Sequence, residues 1–326
     1  MCIRDSTPGA GGAPGTPGVN GTPAPTYAYT NRYSADLVPV ISTDGNTVSG
    51  SISTYRPMGI AVNPAGNYAY VANYAAGLAN TVVVVDMLTN AVSATVTVGN
   101  GPRNVAVNPA GTRVYATNFD IAGTGNTVSV IDTGTNTVVG TITVGQGPLG
   151  IAVSSGGTRG YVTNWAANTV SSISLSTNSG TVTSVIGVGS APDGVAMTGS
   201  HVYVANSGAD TVSVIRRSDD SFVTNITVGS TPHQLAYNPD ARVVYVTVQG
   251  TNKVAVVDAN SNSPTFNTVL TNIDVGANPY GVAFNPSYTR AYVSNAGDGT
   301  ISVIDTATST VMDTIPVGPN PMYVAL

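Results

Sequence analysis

A proline recurs at positions 57, 102, 148, 192, 232, 279 and 321, and the residue after it changes almost every time: Met58, Arg103, Leu149, Asp193, His233, Tyr280 and Met322. Four of these seven carry chemistry. A guanidinium, a carboxylate, an imidazole and a phenol brought to one place form a polar cluster that could bind a ligand or serve a hydrolytic site. A second variable position follows an asparagine that ends the motif Y-V-[AT]-N. There the chain places Tyr74, Phe119 and its only tryptophan, Trp165, in three successive repeats, and then Ser207, Gln249 and Ala296. Aromatic rings in that sequence could form a stacking platform for a glycan, a peptide or a partner protein.

Other candidates weaken under inspection. Asn73, Asn118, Asn164, Asn206 and Asn295 recur at the end of one strand, where asparagine tolerates left-handed geometry and bonds its own backbone. Asp86, Asp132, Asp258 and Asp305 precede Thr/Asn-rich turns and read as turn formers, since Ser174 and Arg216 take the same place in other repeats. His201 reads as a half-exposed strand residue. Two histidines far apart and no H-x-x-x-H spacing give no zinc pattern, so no metal and no cofactor is expected. With no glutamate anywhere, no second carboxylate accompanies Asp193, and an acid–base pair of carboxylates is missing.

The elements that must position these residues follow from the repeat. The proline spacings are 45, 46, 44, 40, 47 and 42 residues, and each unit reads P-x-G-[IV]-A-V-N-P, Y-V-[AT]-N, T-V-S-V-I-D and T-V-x-V-G with small departures. A period in the forties with four short β-rich runs is one blade of a β-propeller. Full units run over about 57–101, 102–147, 148–191, 192–231, 232–278 and 279–320. Residues 27–56 supply strands two to four of a further blade, and residues 321–326 supply its first strand. The expected architecture over 27–326 is therefore an all-β, seven-bladed propeller of four-stranded antiparallel blades, its ring closed by strands from both ends. Such closure removes exposed strand edges. The residue after each proline opens the innermost strand, so the seven side chains should ring one mouth of the central channel. The loops between strands two and three should share that face. They are longest from Tyr70 to Asp86 and from Tyr115 to Asp132, in adjacent blades.

Composition narrows the function classes. Only 8% of residues are charged, the net charge is −5, and the single lysine and ten arginines form no stripe that could track phosphates, which argues against nucleic acid. No apolar run is long enough to span a membrane as a helix. Residues 1–6 read as a cloning or sequencing scar, which would make Cys2 foreign. Residues 7–26 are Gly/Pro-rich, with glycine at 9, 12, 15, 18 and 21, as a linker or a short collagen-like run would have. Any export signal would then lie upstream of the scar.

Y-V-A-N at 70–73, Y-A-T-N at 115–118, Y-V-T-N at 161–164, Y-V-A-N at 203–206 and Y-V-S-N at 292–295 resemble the YVTN-type propeller repeat of bacterial and archaeal surface-layer and secreted proteins. Tyr245-Val246-Thr247-Val248 departs from it. The resemblance implies an extracellular or cell-surface protein, and the expected function is a non-enzymatic binding, adhesion or surface-layer module. Tyr74, Phe119, Trp165, Arg103, Asp193, His233 and Tyr280 are its candidate binding residues. Similar propellers include sugar-lactone hydrolases, which implies an alternative: a lactonase-like hydrolase with its site at the channel mouth near Arg103, Asp193, His233 and Tyr280. Those relatives hold a divalent metal with carboxylates that usually include Glu, which this chain lacks. A purely structural repeat with no ligand is the third reading and predicts buried aromatics.

Overall fold

A computed structural model of the chain describes residues 27–75, 79–120, 122 and 124–326. The scar and the Gly/Pro-rich segment expected at 1–26 lie outside the described residues. Seven four-stranded antiparallel sheets follow one another around a ring. The innermost strands are β4 (Pro57–Val62), β8 (Pro102–Val107), β12 (Pro148–Val153), β16 (Pro192–Met197), β20 (Pro232–Asn238), β24 (Pro279–Phe284) and β28 (Pro321–Ala325), and each packs against the next. The ring closes as the repeat predicts. β28 pairs with β1 (Tyr27–Arg32), with Tyr29 opposite Ala325 and Thr30 opposite Val324, in the sheet completed by β2 (Leu37–Ser42) and β3 (Thr47–Ser53).

Burial of the inner strands drives the assembly. The second and third strands of each blade are buried on both faces, and the outermost strand buries little besides one isoleucine or valine. Between blades the apolar faces form seven clusters, such as that of Tyr115, Val128, Ile142, Ile151 and Val162. Each fully buried aliphatic side chain contributes about 1.5–3 kcal/mol relative to exposure.

The motif asparagines have a structural role, but not the expected one. None has positive φ. Instead Asn164 donates from Nδ2 to Thr169 Oγ1 (2.9 Å) and Ser171 Oγ (3.0 Å), and Asn118, Asn206 and Asn295 do the same with the Thr and Ser of their own third strands. The closing glycine of the preceding blade lies flat on this amide: a Cβ on Gly145 would fall 2.5 Å from Asn164 Cγ. Where Val248 replaces the asparagine, Ala255 replaces the serine, so an apolar pair substitutes for the polar one. The aspartates are turn formers as expected; Asp132 Oδ1 accepts from the N–H groups of Gly134 and Thr135 at 3.0 Å.

Candidate active site at the channel mouth

Two backbone devices set the mouth. The N–H of the residue after the motif asparagine donates to the carbonyl just before the opening proline: Phe119 to Gly101 (3.1 Å), Trp165 to Gly147 (2.8 Å) and Gln249 to Thr231 (3.0 Å). The two variable positions of a blade are thereby held side by side. The hydroxyl at the third motif position reaches into the next blade. Thr163 Oγ1 donates to the Asp193 carbonyl (2.6 Å), and Thr247 Oγ1 donates to that of Tyr280 (2.6 Å). These buried bonds fix where Asp193 and Tyr280 sit before their side chains do anything.

Asp193 is the centre of a buried polar cluster drawn from three consecutive blades. Its Oδ2 lies 2.7 Å from His233 Nδ1 and accepts from the Tyr280 hydroxyl at 3.2 Å, while its Oδ1 accepts from Gln234 Nε2 at 3.0 Å. The aspartate is 3% exposed, so its charge is well shielded from solvent. His233 stacks on Tyr280 with ring centroids 4.4 Å apart, and its Nε2 lies 3.0 Å from Gln249 Oε1. Both ring nitrogens therefore face oxygen acceptors, an arrangement filled by the imidazolium. Burial alone would push the His233 pKa down, but Asp193, helped by Gln249, outweighs burial and the opposing charge of Arg103, and the pKa lies above its ordinary 6.5. Burial, then the Asp193 charge, holds the Tyr280 phenol well above its usual value, so it stays a neutral donor.

Arg103 faces this cluster. Its guanidinium lies over the rings of Tyr74 (5.1 Å) and Phe119 (5.7 Å), and its buried Nε has no hydrogen-bond partner. Burial opposes its charge, but nearby Tyr280, Tyr323 and Asp193 more than offset that, and it remains a cation. Tyr323 packs edge-on against Tyr280 at 5.3 Å. Its phenol is pushed up to about 12, chiefly by burial, and its hydroxyl closes no well-formed hydrogen bond. The donor set does not fit a divalent metal. Asp193 has both oxygens engaged, a guanidinium shares the mouth, and no group of three His, Cys, Asp or Glu side chains converges among the described residues.

Of the predicted residues, Arg103, Asp193, His233 and Tyr280 converge, while Met58 and Leu149 are buried apolar fill. Gln234 and Tyr323 escaped the sequence reading, and Gln249 stood in a variable column without being a candidate. Gln234 and Tyr323 stand second after the proline, where most blades have glycine, and Gln249 occupies the column of the aromatics. Tyr74 and Phe119 are partly exposed and Trp165 is 42% exposed, against the burial that a ligand-free repeat predicts. His201 is a correction: it is 8% exposed rather than half-exposed, because its ring packs on Phe266 at 5.2 Å and Nδ1 meets Ser200 Oγ at 2.9 Å. It lies at the far end of its strand from the mouth, beside Arg216 and Arg217 in an open cavity of about 470 Å³.

The model of the family "Lactonase, 7-bladed beta-propeller" matches residues 128–284, a stretch just under half the chain that carries Asp193, His233, Gln249 and Tyr280. Over those residues the chain is similar to the lactonase propellers. A chain of Kuenenia stuttgartiensis hydrazine synthase is 19% identical, with 86% of this chain and 93% of that one covered and a TM-score of 0.77. A Bacteroides uniformis protein provisionally named a 6-phosphogluconolactonase is 15% identical over 92% of this chain and 98% of its own, with a TM-score of 0.77. A counterpart from Bacteroides fragilis, with the same provisional name, is 13% identical over 92% and 97%, with a TM-score of 0.76. At these identities the structures share the fold. No curated protein sequence matches significantly.

The expectation of a non-enzymatic binding, adhesion or surface-layer module is overturned by the lactonase match. The partner of Asp193 is an imidazole from the next blade rather than a second carboxylate.

Proposed function

We propose that the protein is a hydrolase of cyclic esters, acting at the channel mouth with His233 and Asp193 as its proton-transfer pair. The observation that carries this reading is the part-buried 2.7 Å contact between His233 Nδ1 and Asp193 Oδ2, in a propeller whose matching blades resemble the lactonases. In the deprotonated ring, Nδ1–H stays on Asp193 and Nε2 becomes the acceptor. Gln249 rotates off Nε2, and a water takes its place. The water oxygen bonds to the lactone carbonyl carbon as its proton passes to Nε2, and the developing oxyanion is met by the Arg103 guanidinium. Collapse breaks the ring C–O bond, and His233 returns the proton to the leaving alkoxide, which yields the open hydroxy acid. Tyr280 stacks under the imidazole and holds Asp193 from the other side, so the ring has one orientation.

The test is acid release from a panel of five- and six-membered sugar lactones, corrected for spontaneous opening and run in a chelator. Catalysed opening that disappears in His233→Gln is the expected result. Release that never exceeds the spontaneous rate on any lactone, or that survives in His233→Gln, refutes the proposal.

A further inference from the structure

Beside the proton-transfer cluster the mouth carries a continuous row of rings and guanidinium groups. Arg56 lies over Tyr33 (5.5 Å), Tyr33 meets Tyr74 (6.3 Å), and Arg103 bridges Tyr74 and Phe119 (5.1 and 5.7 Å). Phe119 meets Trp165 edge-on at 5.9 Å. The row crosses four blades and ends on Trp165, the most open of its rings at 42% exposure. Arg103, in the middle of the row, acts electrostatically on His233 and Asp193, and Trp165 stands on the blade between those of Arg103 and Asp193.

We infer that this aromatic row is a saccharide subsite, which extends the substrate from a single sugar lactone to a lactone at the end of an oligosaccharide. The inference rests on the hydrolase reading and adds what the leaving side of the substrate must be. A single lactone ring is served by His233, Asp193, Tyr280 and Arg103; it leaves Phe119 and Trp165 without a use. Pyranose rings present flat C–H faces edged by hydroxyls. The row presents partly exposed aromatic rings beside the guanidinium groups of Arg56 and Arg103, with Trp165 the most exposed, so apolar ring surface meets C–H faces while hydroxyls meet guanidinium groups. An acyl tail laid along the same row would cover two guanidinium groups and give them no acceptor, which is costly.

Trp165 is the only tryptophan in the chain, so its emission reports the subsite without interference. The binding probe is cellobionate, the ring-opened disaccharide acid, with gluconate as the one-ring control; neither requires turnover. The expected result is that cellobionate shifts Trp165 emission and gluconate does not, and that Phe119→Ala weakens cellobionate about three- to tenfold. In steady-state assays the ratio of kcat/KM for cellobionolactone over gluconolactone falls by a similar factor in Trp165→Ala and in Phe119→Ala. Equal emission responses to both acids, or an unchanged ratio in both variants, overturns the subsite. Loss of all lactone opening with the Trp165 response intact overturns the hydrolase reading instead, so the two failures are told apart.

Discussion

Asp193→Asn would keep the outline of the aspartate and remove its charge. Asp193 now faces three groups, His233 Nδ1, the Tyr280 hydroxyl and Gln234 Nε2, at 2.7, 3.2 and 3.0 Å. An amide has one oxygen to offer them, so loss of the charge-assisted bond should cost about 1.5–3 kcal/mol of stability. That cost depends on pH. The folded pKa of His233 is raised above 6.5, so the dyad's contribution is fully present below about 6.5 and fades as pH rises through the folded value. Wild type and Asp193→Asn should therefore differ most in acid and least in alkali. In the variant the largest influence on His233, burial, remains, as does Arg103, and both act downward; its pKa should drop below 6.5. His201 already lies below 6.5 because of burial and the charge of Arg216. The chain has two histidines, so an NMR titration resolves both, with His201→Gln providing the assignment. Wild type should show one histidine on each side of 6.5 and Asp193→Asn both below, with lactone opening reduced about 10²–10⁴-fold. A wild-type protein with both histidines below 6.5, or a His233 titration that Asp193→Asn leaves in place, would refute the reasoning.

Two further predictions concern the frame. Gly145→Ala would press a Cβ onto Asn164 and should cost about 1–3 kcal/mol in denaturant unfolding, whereas Gly50→Ala, with nothing within 4 Å, should be neutral or stabilise by about 0.4–1 kcal/mol. Val248→Asn alone should destabilise by about 1–3 kcal/mol, because Ala255 offers the buried amide no acceptor. Adding Ala255→Ser should recover part of that loss, and a double-mutant cycle with no coupling would show that the two positions do not act as a pair.

The architecture was legible because each constant residue has a repeated mechanical task. The proline opens the inner strand, the motif tyrosine is buried between blades in all but the shared one, and the closing glycine leaves room for the next asparagine. Even the split blade could be read, from a first unit lacking its opening strand and a last unit lacking the other three. The site was legible only as a column. Asp193 and His233 are 40 residues apart, and the period puts them in adjacent blades, but nothing in their types states that both side chains turn toward each other rather than up the channel. Tyr323 and Gln234 were hidden for a different reason: they stand in a column of glycines needed for close strand approach, where a Cβ on Gly194 would meet the His233 carbonyl at 2.5 Å. At two of the three departures from glycine there, Gln234 and Tyr323, the side chain joins the mouth cluster; at the third, Asn104 accepts from the Val105 N–H instead. The reading of the asparagines failed on mechanism. Their partners are hydroxyls on the neighbouring strand, which spacing along one strand does not reveal.

The most direct measurement is a crystal structure of the protein soaked with gluconate, the ring-opened product of a sugar lactone. The account predicts its carboxylate at the channel mouth, about 2.6–3.2 Å from His233 Nε2, with the Gln249 amide displaced and the Arg103 guanidinium in contact. Gluconate held instead in the outer cavity beside His201, Arg216 and Arg217, with Gln249 still on His233, would contradict it.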